Sequence, residues 1–341
     1  MSLKSRVARA WSALLGHDLQ TEFRRDIPPI TSEDIEEIKS FFPMPKFFIF
    51  GHARSGTTML ARAIRIHPEV HCNYQAHFFT RPPLLESLVN RSDIGSWLSR
   101  SSNRWNQGRD LSPIVLRVCA DYILEREARR MNKLIVGDKS PSSLMDGKAV
   151  ELMHKVYPDG SLIYIIRDGR DTVISHRFQA FIEFPERLTK EDQDIRAHFA
   201  HNPEHFLSGQ YSIFTEKSLR QAAKAWARNV DETNQSGRSL FHCRYLSLRY
   251  EDLLEHPWLK MLSVWEFLAA GEISADLEPV LNNEFSQNPD AEWQLEKASE
   301  IAQALNKGRH GSWQELFTSK DKEIFEQIAG TTLRAWGYES S

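Results

Sequence analysis

The chain of 341 residues holds no apolar run near the roughly 18 residues that a membrane-spanning helix requires; its longest apolar stretches, around Phe47–Phe50 and Leu162–Ile166, are strand-sized. No transmembrane segment is expected. Cysteine is scarce: Cys72, Cys119 and Cys243 are widely spaced and odd in number, which fits neither a disulfide framework nor a metal-ligand pattern and points to a reducing compartment. Charge of one sign is missing as well. With 43 Lys and Arg against 46 Asp and Glu the net charge is −3, which argues against a dedicated nucleic-acid binder. The N-terminus is basic but has only a short apolar patch and no clear cleavage site, so a secretory signal is not expected. Val7, Trp11, Leu14 and Leu15 share a helical face with Lys4, Arg6 and Arg9 nearby. This reads as a terminal helix packed on the body, with contact to a membrane surface as the alternative.

What is present is ordinary globular composition, 41% hydrophobic and 26% charged, enough for a sizeable core. Three segments read as buried parallel strands followed by turn chemistry and helical periodicity: residues 46–51, 133–138 and 161–168. A fourth, residues 241–253, precedes a helical run through Trp265 and Phe267. The expected fold is therefore α/β: one domain with a central parallel sheet flanked by helices. Residues 1–45 are expected to form an N-terminal helical extension to a domain of residues 46–341. The segments 76–111, 181–217 and 271–312 read as long loops and candidate lids, with peripheral helices the alternative for 181–217.

The most informative segment is FFIFGHARSGTTMLARAI, residues 47–64, where an apolar strand ends at Gly51 and a helix opens near Thr57. That arrangement aims backbone N–H groups and a positive helix end at one point, an anion cradle. Gly51 and Gly56 permit the tight turn, and Ser55, Thr57 and Thr58 add hydroxyl donors. The spacing Gly51-x4-Gly56 imitates a Walker A loop, but Thr57-Thr58 stands where a nucleoside triphosphatase needs Lys followed by Ser or Thr. The cation sits inside the loop as Arg54.

A second strand ends in Arg167, and Asp168-Gly169-Arg170-Asp171 opens the next helix, with Ser175 eight positions after Arg167. Arg167 and Ser175 can converge on one phosphate; the alternative is a local ion pair of Arg167 with Asp168 or Asp171. Two anion sites on neighbouring strands suit a ligand with two phosphate-like groups.

Together these two motifs resemble those of the sulfotransferases that use 3′-phosphoadenosine 5′-phosphosulfate. The resemblance implies that Arg54, Ser55, Gly56, Thr57 and Thr58 bind the 5′-phosphosulfate and that Arg167 and Ser175 bind the 3′-phosphate. RYEDLLEHP, residues 249–257, resembles the family's Tyr-Glu-Asp-Leu segment and would place Tyr250 near the adenine. NKGRHGSWQELFT, residues 306–318, resembles the stretch that folds over the nucleotide, which makes Lys307, Gly308 and Arg309 further 3′-phosphate contacts; Asn306 replaces an Arg of cytosolic members there.

By the same resemblance Lys139, two residues before Pro141, would stabilise the transferring group beside Arg54, as the corresponding Lys does in tyrosylprotein sulfotransferases; the alternative is a surface residue. HPEVHCNYQAHFF, residues 67–79, is similar to a heparan sulfate 3-O-sulfotransferase stretch and its tyrosylprotein counterpart, in which a Glu supplies the general base. Gln75 stands at that position, and an amide takes no proton at neutral pH. Three alternatives remain open: His77 as base, Asp138 turned inward as base, or an acidic acceptor oriented by Gln75. Gln75, His77 and Phe78 are the candidate acceptor contacts, and Phe79, Trp97, Trp105, Phe178, Phe181 and Phe184 are aromatics that can stack on an acceptor or pack in the core. His52 sits in the loop carrying Arg54 and faces the same question.

The expected activity is transfer of a sulfuryl group from 3′-phosphoadenosine 5′-phosphosulfate, as co-substrate, to a hydroxyl or amine of a small molecule, carbohydrate, lipid or peptide, without a metal. The rivals are a P-loop small-molecule kinase and a non-catalytic binder of adenosine 3′,5′-bisphosphate. The absence of a membrane span makes the cytoplasm the expected location.

Overall fold

A computed structural model describes residues 26–286, 298–302 and 311–339. Among the described residues five strands form one wholly parallel sheet in the order β2-β3-β1-β4-β5: β1 Lys46–Phe50, β2 Val70–Tyr74, β3 Ile135–Lys139, β4 Ser161–Ile166 and β5 Tyr245–Arg249. Helix α1 Ser32–Lys39 precedes β1. Parallel strands need crossovers, and these run through α2 Thr57–Ile64, α3 Ser112–Arg130, α4 Gly147–Val156, and α5 Gly169–Glu183, α6 Lys190–His201 and α7 Glu216–Phe241, while α8 Pro257–Phe267 and α9 Ser319–Ala335 follow β5.

The central strand is apolar at four of its five positions because both faces of the sheet are covered. Side chains alternate between two cores. Phe48, Phe50, Leu162, Tyr164 and Ile166 face a layer that includes Leu116, Ala149, Phe181, Trp226 and Phe325, while Phe47, Ile49, Ile163, Ile165 and Leu248 face Leu60, Ile64, Met261 and Trp265. A third cluster of Ile30, Ile35 and Ile38 fastens α1 to α3 through Ile114 and Val118.

The chain leaves β1 toward β2 on one side, and leaves β4 toward β5 on the other. Adjacent strands with diverging connections open a crevice at their carboxyl ends, and this is where an α/β sheet holds its ligand. Among the described residues no helix is long and apolar enough to cross a membrane.

The strands expected near residues 46, 133, 161 and 241 are observed, the last trimmed to Tyr245–Arg249. The edge strand β2 was not expected. Residues 181–217 are largely helical, with α6 and Pro203–Leu207, and 76–111 carries short helices Ser87–Asn90 and Ser92–Ser99, so neither is a structureless lid. The amphipathic segment of Val7, Trp11, Leu14 and Leu15 lies outside the described residues.

Candidate functional site

The loop between β1 and α2 is shaped by two glycines. A Cβ on Gly51 would stand 2.8 Å from the carbonyl oxygen of Ile165, so only glycine lets β1 pass the end of β4 there. Gly56 is left-handed at φ 88°, and a Cβ on it would meet the Tyr250 ring at 2.3 Å. Gly56 is also the N-cap of α2 and offers no side chain to it, which leaves the first N–H groups of the helix facing the crevice. Ser55 is buried, and its Oγ has no hydrogen-bond partner among the described residues. A hydroxyl and a helix start held in this way suit an anion with several acceptor oxygens.

The crevice is a cleft of about 990 Å³ lined by Arg54, Gly56, Thr57, Thr58, Gln75, His77, Arg167, Ser175 and Tyr250 among others. Four stretches widely separated in sequence, around residues 54–58, 75–77, 167–175 and 250, meet here. Arg54 Nε donates to Ser175 Oγ at 3.2 Å, so the cation of the phosphate loop reaches the helix α5 of the second motif. Arg167 Nη1 donates to the carbonyl oxygen of Arg54 at 3.3 Å, and its guanidinium lies 4.9 Å over the Tyr250 ring, whose edge is against Gly56.

Of the two carboxylates set against Arg167 as ion-pair partners, Asp168 is taken by Arg170, 2.7 Å away, and caps α5. Asp171 accepts the backbone N–H groups of Gly311 at 2.5 Å and Trp313 at 3.1 Å, and Arg170 stacks 3.7 Å over the Trp313 ring. Burial pushes the Asp171 carboxyl above the usual carboxylate range, with Arg167 pulling it back. The late segment is thus moored to α5 beside the clamp. Asp171 was missed as an anchor because its partners lie 140 positions away. Lys307, Gly308, Arg309 and His310 lie outside the described residues.

Lys139 is not a surface residue. It is 1% exposed and stands behind the cleft wall, its Nζ donating to Thr58 Oγ1 at 3.1 Å and lying 5.3 Å from the Tyr74 ring centre. Phe78 is corrected from acceptor contact to core: it is buried with Phe79 beneath the β2 exit, where an apolar ring belongs, and does not line the cleft. Phe181 is likewise core, and Trp97 and Trp105 stack on each other at 4.7 Å on the surface. Phe178 and Phe184 do line the cleft.

His77 lines the cleft with Nδ1 3.0 Å from Thr80 Oγ1; burial, then Arg81 and Lys139, hold its pKa below the ordinary 6.5. Asp138 is buried rather than turned inward: Oδ1 accepts the Ala76 N–H at 3.1 Å and Oδ2 accepts the Ser140 hydroxyl, so it offers no oxygen to an acceptor. Burial raises its pKa to about 6. His52 is also buried behind the loop. Its Nδ1 is 2.8 Å from the Ala53 carbonyl, its ring is 6.0 Å from that of His176, and burial lowers its pKa to about 4. His176, which the sequence places beside the second motif, lines the cleft next to Ser175, and burial, then Arg54, hold its pKa below the ordinary 6.5. Among the described residues no group of three His, Cys, Asp or Glu is placed to hold a metal.

Comparison with known proteins bears on the same region. The chain is 24% identical to the protein-tyrosine sulfotransferase of Drosophila melanogaster over 228 residues, covering 66% of this chain and 38% of that protein. It is 22% identical to carbohydrate sulfotransferase 15 of Mus musculus over 290 residues, covering 72% and 47%. The chain therefore spans half or less of the length of these relatives. Among solved structures it is similar to a mouse sulfotransferase complexed with PAP, with 15% identity, a TM-score of 0.46 and coverage of 89% and 90%. The model of the sulfotransferase family matches residues 45–271. That match runs from the approach to β1 to just past α8, about two thirds of the sequence, and the chain belongs to the sulfotransferase family.

Proposed function

We propose that the protein transfers a sulfuryl group from 3′-phosphoadenosine 5′-phosphosulfate to a hydroxyl or amine acceptor. The observation that carries this reading is the meeting of Arg54, Arg167, Ser175 and Tyr250 around one cleft, because a donor with phosphates at two positions needs two anion sites within one nucleotide's reach. The α2 N-terminus and the Ser55, Thr57 and Thr58 hydroxyls receive the 5′-phosphosulfate, and Arg167 with Ser175 receives the 3′-phosphate. Sulfuryl transfer is an in-line displacement in which charge grows on the bridging oxygen of the leaving nucleotide. Arg54 and the α2 N–H groups stabilise that charge, and Lys139 adds a buried positive field through Thr58. Neutral His77 accepts the acceptor's proton at the far side of the cleft, where Gln75 orients the acceptor by hydrogen bonding.

Calorimetric titration with adenosine 3′,5′-bisphosphate, and separately with ATP and Mg²⁺, tests the donor. Tighter binding of the bisphosphate supports the reading, and tighter binding of ATP overturns it. An acceptor panel of phenols, sugars, sterols and tyrosine peptides, read by mass spectrometry for an added sulfuryl group, separates a transferase from a protein that only binds the nucleotide.

A further inference from the structure

The last two residues of β3, with Ser140 and Ser142 after it, stitch two loops together. Lys139 O accepts the Gln75 N–H at 2.7 Å, Asp138 Oδ1 accepts that of Ala76, and Ser140 Oγ accepts that of His77 at 2.8 Å while donating its own proton to Asp138 Oδ2. On the other side the Ser140 N–H bonds Ile49 O at 3.0 Å and the Ser142 N–H bonds Gly51 O at 3.1 Å, at the root of the phosphate loop. Gln75 and His77 are both left-handed, at φ 60° and 52°. Non-glycine residues hold that conformation at a cost of roughly 1 kcal/mol or more each, and only where surrounding bonds impose it. Three consecutive N–H groups anchored on one strand end are such bonds.

We infer that Asp138 and Ser140 are positioning residues, a buried brace that holds Gln75 and His77 at a fixed distance from the phosphate loop and so sets the acceptor against the transferring group. The inference rests on the sulfuryl-transfer reading for its chemical consequence, but the brace itself is a property of the loop. Asp138 reaches the cleft only through backbone N–H groups, and its carboxylate is the one group that satisfies Ala76 and Ser140 at once. Its neighbour Lys139 points to the other side of the strand, at Thr58. One strand end therefore fixes the acceptor side with one residue and the donor side with the next.

Amide hydrogen exchange tests the brace directly. In Ser140→Ala, exchange at His77 and Ala76 should quicken at least tenfold while β1 amides at Phe48–Phe50 stay unchanged, and Ser140→Thr should restore protection to within about twofold. Unchanged exchange at His77 in Ser140→Ala overturns the brace, as does loosening that spreads to β1, which would mark a general packing role. With the acceptor identified by the panel, kcat at saturating donor should fall at least tenfold in Ser140→Ala and in Asp138→Asn, while adenosine 3′,5′-bisphosphate affinity stays within about twofold. Loss of nucleotide affinity with intact kcat overturns the catalytic consequence. If the wild-type protein binds no adenosine 3′,5′-bisphosphate, the sulfuryl-transfer reading falls, and the exchange measurement still decides whether Asp138 and Ser140 brace the loop.

Discussion

Arg54 Nε stands 3.2 Å from Ser175 Oγ, although 121 positions separate them. The two anion motifs are therefore in contact, and Arg54, placed by sequence on the 5′ side, also borders the pair assigned to the 3′-phosphate. A cation shared in this way would link the two ends of the proposed nucleotide donor.

That link has a measurable form. Arg54→Ala should lower turnover by about a hundredfold and adenosine 3′,5′-bisphosphate affinity by roughly tenfold, within the range for a lost charge-assisted hydrogen bond. Ser175→Ala should weaken affinity by a few-fold. Titrating both single variants and the double variant completes a cycle, and because each residue contacts the other the double loss should fall short of the summed single losses. Strict additivity would show that the nucleotide separates the two side chains.

Arg167 offers a contrast, since its guanidinium is held between the Arg54 carbonyl and the Tyr250 ring. Arg167→Ala should reduce adenosine 3′,5′-bisphosphate affinity by about ten- to a hundredfold, and Arg167→Lys should recover little, because a point charge reproduces neither the stacking nor the planar fork. Tyr250→Leu should cost less than Arg167→Ala, with the phosphate loop shifting as Gly56 loses its ring contact. Equal affinities for wild type and Arg167→Ala would remove Arg167 from the nucleotide site.

Much of this was legible in the sequence wherever a local pattern carries the geometry. The phosphate loop is written in consecutive residues, and β1 and β4 are apolar because both faces are buried. The strand β2, with His71, Cys72 and Asn73, was missed because an edge strand pairs with β3 alone and shows no apolar run. Asp138 was legible only as an alternative base, and Asp171 only as an alternative partner of Arg167. What each does depends on backbone N–H groups brought from β2 and from beyond residue 310, and no spacing rule encodes such contacts. Phe78 was misassigned because the same ring chemistry serves a core and a stacking site, and burial alone separates the two.

At the end of the sheet away from the cleft, Lys46 is buried with Nζ 2.7 Å from Glu125 and 3.5 Å from Asp121, and Arg117 bonds Asp121 at 2.9 Å and Asp159 at 2.7 Å. Removing Lys46 leaves the buried Asp121 and Glu125 one cation short, with only Arg117 on the first at 2.9 Å and the half-exposed Arg129 on the second at 2.6 Å. Lys46→Ala should cost about 3–5 kcal/mol, and the pair Lys46→Met with Glu125→Leu should cost less than Lys46→Ala alone. Urea unfolding of the three proteins decides it, and a double variant less stable than Lys46→Ala would refute the argument.

His52 makes the phosphate loop sensitive to acid. Its pKa is about 4 in the fold against 6.5 for an ordinary histidine, because burial disfavours the imidazolium and His176 adds repulsion. Between those values the unfolded chain binds the proton and the folded one does not. Stability from this residue is therefore fully present above about pH 6.5 and is lost as pH falls toward 4, by roughly 3 kcal/mol in all. Asp138, raised to about 6, acts in the opposite sense, since its folded form retains a proton that the unfolded form has lost. It is present in both proteins of a comparison and cancels. His52→Asn keeps a donor for the Ala53 carbonyl without a titrating ring. Unfolding free energies at pH 7 and pH 4.5 should show the wild type losing about 2–3 kcal/mol more than the variant on acidification. Adenosine 3′,5′-bisphosphate affinity should fall alongside, because the buried ring belongs to the loop that carries Arg54. Parallel acid profiles for the two proteins would mean that the His52 ring reaches solvent or finds a counter-ion when it charges.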